Sequence, residues 1–193
     1  MKSLCLFCGS AAGNNPLYIE TAKRLGTHCA EQGITLYYGG ACIGLMDAAA
    51  TATMNAGGTV IGITPDLFDK DVVQAKNITQ LIIVKSMSER KQLLEKSADA
   101  FVAMPGGFGT MDELFELLTD TQIGQHHKPV AILNVAGYYD LLIQQLDRFV
   151  ADGFLRPFHR DLLLIANDVD DLFEKFRNYQ NTNDPEWLKR IRS

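Results

Sequence analysis

The amino-acid sequence predicts an α/β protein, a single Rossmann-like domain built as a three-layer, doubly wound parallel sheet. Three observations lead there. Short, continuous runs of Val, Ile and Leu recur along the chain, the pattern of strands buried on both faces. Segments of helical period separate them, so strand and helix alternate as right-handed crossovers between parallel strands require. Three of the strand-to-helix loops are rich in glycine, and in such sheets ligands bind outside the carboxyl ends of the strands.

The elements follow in order. LCLFC over 4–8 reads as a strand, and 16–31 as a helix with Leu17, Ala22, Leu25 and Cys29 inward. A strand is predicted over 34–38, a helix over 44–56 and the strand TVIGIT over 59–64, followed by a less regular connection from 65 to 77. Strands at 81–84, 100–104, 130–134 and 162–165 then alternate with helices at 87–97, 110–123, 138–152 and 169–179. Asn167 or Asp168 is the expected cap of the last helix. Residues 1–180 are expected to form the domain, and 181–193 a polar tail packed loosely or at an edge.

Composition narrows the classes of function. The chain has 193 residues, enough for one substantial core. A net charge of -5 gives no electrostatic pull towards a nucleic-acid backbone, so no nucleic-acid partner is expected. No apolar run approaches the roughly 20 residues that span a bilayer, and the apolar piece before Gly9 is too short for a signal segment. A cytoplasmic protein without a membrane partner is the expectation.

Cys5 and Cys8 form a C-x-x-C. Side chains alternate faces along a strand, so thiols three positions apart point to opposite sides and cannot share a metal or a disulfide. Buried, inert thiols are expected there, and no metal site is predicted. His126 and His127 make a loop pair without ligand spacing, while His28 and His159 are expected as lone surface residues.

The first glycine loop, CGSAAGNN, contains Gly9 and Ser10 but lacks the G-x-G-x-x-G register, so the dinucleotide fingerprint is missing. The second, YGGACIGLM, contains Gly39 and Gly40, for which tight strand-to-helix packing is an equally good account. The third is AMPGGFGTMDELFE. Gly106, Gly107 and Gly109 would let backbone approach a ligand, and a helix starting at Thr110 would offer free N–H groups and a positive dipole end to an anion. No Gly-Lys-Ser/Thr follows, so a phosphate without a triphosphate apparatus is the better inference.

Acids follow that loop. Thr110-x-x-Glu113 matches a capping box, and from this segment alone capping outweighs catalysis. Two features shift the balance. Glu113 and Glu116 share a helix face that Thr119 continues, and that face should look towards the crevice. In the preceding helix Arg90 falls on the stripe Met87, Arg90, Leu94, which should face inward, with Lys91 beside it. An inward arginine needs an anionic partner, and the glycine loop supplies both a carboxylate and a phosphate site.

Met87-x-x-Arg90-Lys91 combined with Pro105-Gly106-Gly107-x-Gly109-Thr110-x-x-Glu113 resembles the lonely guy family, the cytokinin riboside 5′-monophosphate phosphoribohydrolases. Its bacterial members were long labelled lysine decarboxylase-like. The resemblance covers roughly residues 2 to 178 and includes CGS, YGG-x-x-x-GLM and KPV-A-I-L-N. It implies hydrolysis of the N-glycosidic bond of a nucleoside 5′-monophosphate, giving a free base and ribose 5-phosphate, with no cofactor. It places catalysis on Arg90 and Glu113, substrate binding on Arg90-Lys91 and the loop Gly106 to Thr110, and the sites near the interface of a homodimer. Ala41, Asp47, Asp71-Val72 and Asp120 depart from the family pattern, which bears on specificity for base and ribose. Two rivals stand beside this reading. A lysine decarboxylase would need a Schiff-base lysine, and no lysine has a recognisable setting for one. A nucleotide-binding or sensing module would use the same glycine loop without turnover.

Overall fold

The computed structural model describes residues 1–68, 75, 77–182, 187 and 189. Seven strands make one sheet: β1 (Ser3–Phe7), β2 (Thr35–Tyr38), β3 (Val60–Pro65), β4 (Gln80–Val84), β5 (Ala100–Ala103), β6 (Val130–Leu133) and β7 (Leu163–Ala166). The order is β4-β3-β2-β1-β5-β6-β7, and every pairing is parallel. The chain winds outward from β1 in one direction, returns, and winds outward from β5 in the other. The topological switch point therefore lies between β1 and β5, where a crevice opens because the following loops diverge.

Two layers of helix cover the sheet. Helices α1 (Pro16–Glu31), α2 (Gly44–Asn55) and α7 (Val169–Arg177) share one core with Leu4, Leu6, Leu36 and Val102. Helices α3 (Met87–Ser97), α4 (Phe108–Gln122) and α5 (Asp140–Ala151) share the other with Cys5, Phe7, Phe101 and Ile132. Adjacent residues of β1 thus feed opposite cores, as the twofold period of a strand demands. Cys5 and Cys8 fall on opposite faces, and burial raises the pKa of both thiols.

Local chemistry explains where the helices begin. Asn15 caps α1 by accepting from Leu17 N, with Pro16 at the first helical position. Ser86 caps α3 by accepting from Glu89 N, and Glu89 accepts in return from Lys85 N. Asp168, not Asn167, caps α7, while Asp171 accepts from Asn167 N.

Several expectations need correction. The short helix α6 (Pro157–Arg160) was not predicted. Helix α5 starts at Asp140 rather than 138, because a 3-10 turn over Val135–Gly137 precedes it. Leu17 is 47% exposed, because it follows the α1 cap and precedes the first turn that reaches the core. His159 is buried against Phe158 and Trp187 rather than lying on the surface. His126 is also buried; it accepts from Lys128 N, and burial pushes its pKa down to about 4. It is a neutral structural group. Asp71-Val72 and all but Asn181, Thr182, Trp187 and Lys189 of the expected tail lie outside the described residues.

Helices α1 and α2 pack unusually close. Gly26 is buried in the middle of α1, and a Cβ there would meet the Ala49 carbonyl oxygen and the Thr53 hydroxyl of α2. Helix propensity alone favours Gly26→Ala by about 0.8–1 kcal/mol, whereas overpacking against backbone costs roughly 1–3 kcal/mol. The clash should win. We expect thermal unfolding to show Gly26→Ala destabilised, by a net loss of up to about 2 kcal/mol and a Tm lowered by up to roughly 8 °C.

Candidate active site

Three loops converge at the switch point. The loop after β1 meets the loop after β5 through Gly9 N, which donates to Pro105 O at 2.9 Å. The loop after β2 closes on the first loop: Leu45 N donates to Gly9 O at 3.2 Å. Gly44, at φ +61, lies so close to the Ser10 carbonyl that no side chain fits. Here glycine serves both the left-handed backbone and the close approach.

A crevice of about 310 Å³ opens between these loops and α3. Gly9, Ser10, Gly39, Met87, Arg90, Gly107, Gly109, Thr110 and Glu113 line it, joined by Met46, Phe68 and Phe108. Nine of the residues singled out in the sequence therefore come together. The others lie elsewhere. Gly40 packs under the loop against Thr64 and Leu81. Gly106 lines an adjoining cavity with Tyr18 and Tyr138. Lys91 and Glu116 pair with each other at 2.6 Å along the seam between α3 and α4, where Lys91 also reaches Asp112 at 3.1 Å. Thr119 bonds back to Phe115 O, one turn away. The acidic face of α4 thus divides: Glu113 enters the crevice and Glu116 does not.

The floor of the crevice is an ion pair. Arg90 Nη2 donates to Glu113 Oε1 at 2.8 Å, with side-chain exposures of 11% and 9%. The guanidinium lies over Gly39, where a Cβ would come within 2.5 Å of Nη2. That close approach, rather than general loop packing, accounts for glycine at 39. Arg90 Nε is buried and has no hydrogen-bond partner among the described residues. The site thus retains an unused cationic donor beside a paired carboxylate.

The T-x-x-E capping box does not form. Helix α4 starts at Phe108, two residues earlier than predicted, with Gly107 as a cap that offers no side chain. Thr110 is inside the first turn and buried, so Glu113 is released from the helix start to meet Arg90. Burial pushes the Glu113 carboxyl up to about 7; Arg90 opposes that rise, and neighbouring Asp112 adds to it. Removing a carboxylate from water disfavours its charged form, and the guanidinium keeps ionisation within reach of neutral pH.

The two central glycines of the loop have no internal reason to be glycine. Gly107 has φ -96, and a Cβ at Gly107 or at Gly109 would meet nothing within 4 Å. The space above them is open, beside the free N–H groups of a helix start. Gly106 is different, since a Cβ there would collide with Thr110 and Gly9.

Sequence reasoning missed Tyr138 and Tyr139. Their hydroxyls donate to Gly106 O at 2.6 Å and Met104 O at 2.7 Å. The one signal was the pair of aromatic residues after a glycine beyond the β6 strand. Among the described residues no group of three or more His, Cys, Asp or Glu stands where it could hold a metal ion. No described residue lining the crevice is a lysine, and hydrogen bonding to Glu116 raises the Lys91 pKa. Among the described residues, the crevice lining therefore offers no amine for a Schiff base, which needs one that loses its proton near neutral pH.

Fold and site define a doubly wound parallel α/β domain with a glycine loop at the switch point and a buried ion pair beneath it. Comparison with known proteins places it more closely. A sequence profile of the family described as "Possible lysine decarboxylase" matches residues 46–176. A cytokinin riboside 5′-monophosphate phosphoribohydrolase of Arabidopsis thaliana is 40% identical over 178 residues, covering 92% of this chain and 84% of the relative. A second Arabidopsis thaliana protein of that description is 39% identical over 184 residues, covering 95% and 80%. The chain belongs to this family. Among solved structures, the molybdenum cofactor binding protein of Rippkaea orientalis superposes with a TM-score of 0.71 at 24% identity, over 92% of this chain and 97% of that one. At that identity the likeness shows the shared fold.

The glycines separate by their neighbours. Gly106→Ala should lower stability by about 1–3 kcal/mol because it forces apart packed backbone. Gly107→Ala should stay within roughly 0.5 kcal/mol of the parent. Parallel denaturant titrations check both.

Proposed function

We propose that the protein hydrolyses the N-glycosidic bond of a nucleoside 5′-monophosphate, releasing the free base and ribose 5-phosphate. The observation that carries this reading is the buried Arg90–Glu113 pair beside a glycine loop whose open side faces the same crevice. The activity named for the relatives at 40% and 39% identity supports it. A site that only bound phosphate would gain nothing from a carboxylate buried next to it, since like charges repel.

The chemistry divides between the two ends of the substrate. The 5′-phosphate lies over Gly107 and Gly109, at the N–H groups and positive dipole end of α4. That contact holds the ribose above Glu113, so remote binding energy orients the reacting carbon. The flat base lies among Met46, Phe68, Met87 and Phe108, the apolar part of the lining. As the bond from the base nitrogen to C1′ breaks, positive charge builds on the sugar. The Glu113 carboxylate stabilises that charge and accepts a proton from the attacking water, whose oxygen bonds to C1′. The base leaves with the bonding pair and takes up a proton. Arg90 fixes the carboxylate.

The same reading extends to the assembly. Residues 1–180 form the catalytic domain, in a cytoplasmic homodimer. Lys91, Glu116 and Thr119, outside the crevice of one chain, bind substrate only where the partner subunit completes the site. Phe108, 97% exposed at the rim of the crevice, and the partly exposed Phe115 and Ile123 of α4 supply apolar surface for such an interface.

Glu113→Gln should keep the fold and the binding of AMP, because an amide oxygen still accepts from Arg90, but abolish release of the base. Near-parental turnover would remove Glu113 from the mechanism. A panel of nucleoside monophosphates, AMP and isopentenyl-AMP included, scored for released base, tests the activity itself. Binding without release in the parent would instead favour a sensing module.

The pH dependence follows from Glu113. The carboxylate is the working form, so kcat/KM should fall as pH drops through about 7. Stability responds in the opposite sense. The folded state holds the Glu113 proton over a range where the unfolded chain has lost it, so this group's contribution declines as pH rises from the ordinary carboxylate range towards 7. Glu113→Gln lacks that decline. Its stability relative to the parent should therefore improve between pH 5 and pH 8, as urea titrations at both pH values would show.

A further inference from the structure

Three consecutive carbonyls at the end of β5 each have a donor. Met104 O accepts from the Tyr139 hydroxyl, Pro105 O from Gly9 N–H, and Gly106 O from the Tyr138 hydroxyl. An anion approaching this loop would be repelled by carbonyl oxygens and attracted by N–H groups. With the carbonyls bonded elsewhere, the N–H groups remain for the crevice.

The bond from Tyr138 is the least expected of the three. It reaches the peptide that joins Gly106 to Gly107, two residues with no side chain of their own. The Gly106–Gly107 unit is planar and trans, so its C=O and N–H point in opposite directions. Gly106 O faces Tyr138 in the adjoining cavity, so Gly107 N–H points away from the Tyr138 hydroxyl, at a residue that lines both that cavity and the crevice. Gly107 has no Cβ, and its surroundings would offer a Cβ no contact within 4 Å. Side-chain sterics therefore do little to stop this peptide rotating.

Tyr138 is itself held in place. Its ring meets Tyr139 edge-on at 4.9 Å and Tyr18 edge-on at 5.8 Å. Gly13 lies against the Tyr18 ring, where a Cβ would collide with it. The turn before α5 is fixed by Asn134, which accepts from Tyr139 N at 2.7 Å and donates to Asp140 at 2.8 Å. Tyr138 as a whole is 43% exposed, so its hydroxyl has little to do for the core.

We propose that Tyr138 is a positioning residue for the phosphate: by holding the Gly106 carbonyl it aims the Gly107 N–H at the anion and sets affinity for the 5′-phosphate end of the substrate. This rests on the phosphoribohydrolase reading for the identity of the ligand, but its physical content is anion affinity. Tyr138 lines the adjoining cavity and not the crevice that holds Arg90 and Glu113, so its effect should fall on binding of the phosphate end rather than on turnover of bound substrate.

Tyr138→Phe removes only the hydroxyl. Loss of one aimed hydrogen bond to a charged group corresponds to roughly a tenfold change in affinity. KM for AMP and Kd for ribose 5-phosphate, the latter by calorimetry, should each rise about tenfold in Tyr138→Phe. We expect kcat to stay within about twofold, and weak binding of adenosine, which lacks the phosphate, to be unchanged. Equal weakening for AMP and adenosine, a fall in kcat at constant KM, or no change in either Kd overturns the inference. Tyr138→Leu, which also removes the ring contacts, should lose stability as well as affinity. If Tyr138→Phe alone reproduces that stability loss, the hydroxyl is structural and the inference fails. Calorimetry needs no turnover. A parent that binds ribose 5-phosphate but cleaves no monophosphate sinks the proposed reaction and leaves Tyr138 to be judged by the Kd ratio. A parent that cleaves AMP, with an unchanged Kd in Tyr138→Phe, sinks only the role of Tyr138.

Discussion

The buried ion pair between Arg90 and Glu113 is the constraint around which the site is organised. Two charges on different helices sit 2.8 Å apart and about nine-tenths out of solvent. Such a pair is poor evidence of stability, because the desolvation of both groups offsets much of their attraction, whereas removing one partner costs roughly 3–5 kcal/mol. The local design serves to keep it together. Gly39 has no side chain so that the guanidinium can lie across the β2 loop. Met87, one turn earlier in α3, touches Nη1 through its sulfur. Helix α4 starts early enough to bring Glu113 into the crevice rather than onto its own N-terminus.

The parallel sheet makes this arrangement possible. Winding outward in both directions from β1 and β5 leaves their following loops side by side, joined by the bond from Gly9 N to Pro105 O. One loop presents backbone donors and the neighbouring helices present the ion pair. Both kinds of group line the same crevice. The three bonded carbonyls from Met104 to Gly106 make the division sharper, because they remove the acceptors that would oppose an anion.

Much of this was legible beforehand. The Val-, Ile- and Leu-rich runs located all seven strands to within a residue or two at each end, since a strand buried on both faces has little freedom of composition. The helix over Met87–Ser97 was placed at its observed ends, and in the structure the Ser86 cap and the returning Glu89 bond fix its start. The inward position of Arg90 followed from spacing alone. The start of α4 was placed two residues late for a definite reason. The T-x-x-E pattern fits a helix starting at 110, but it carries no information about the packing of Gly106 on Gly9 and Thr110 that lets the helix begin at Phe108. His159 was misplaced because the elements that bury it, α6 and the ring of Trp187, leave no periodic trace.

By itself, the sequence determined the layer architecture, the alternation of elements and the presence of an arginine, a glutamate and a glycine loop within one stretch of about 28 residues. These depend on local period and residue type, which nearest neighbours along the chain define. Only the tertiary structure decided which glycine has which surroundings: Gly39 makes way for a guanidinium, Gly44 for backbone, Gly106 for the Thr110 side chain and backbone, and Gly107 and Gly109 face open space. It also brought Tyr138, 32 residues away in sequence, onto the Gly106 carbonyl, and separated Glu113 from Glu116 although they are one turn apart. Such assignments depend on distances between residues remote in sequence, and those distances exist only once the sheet has set the order of its strands.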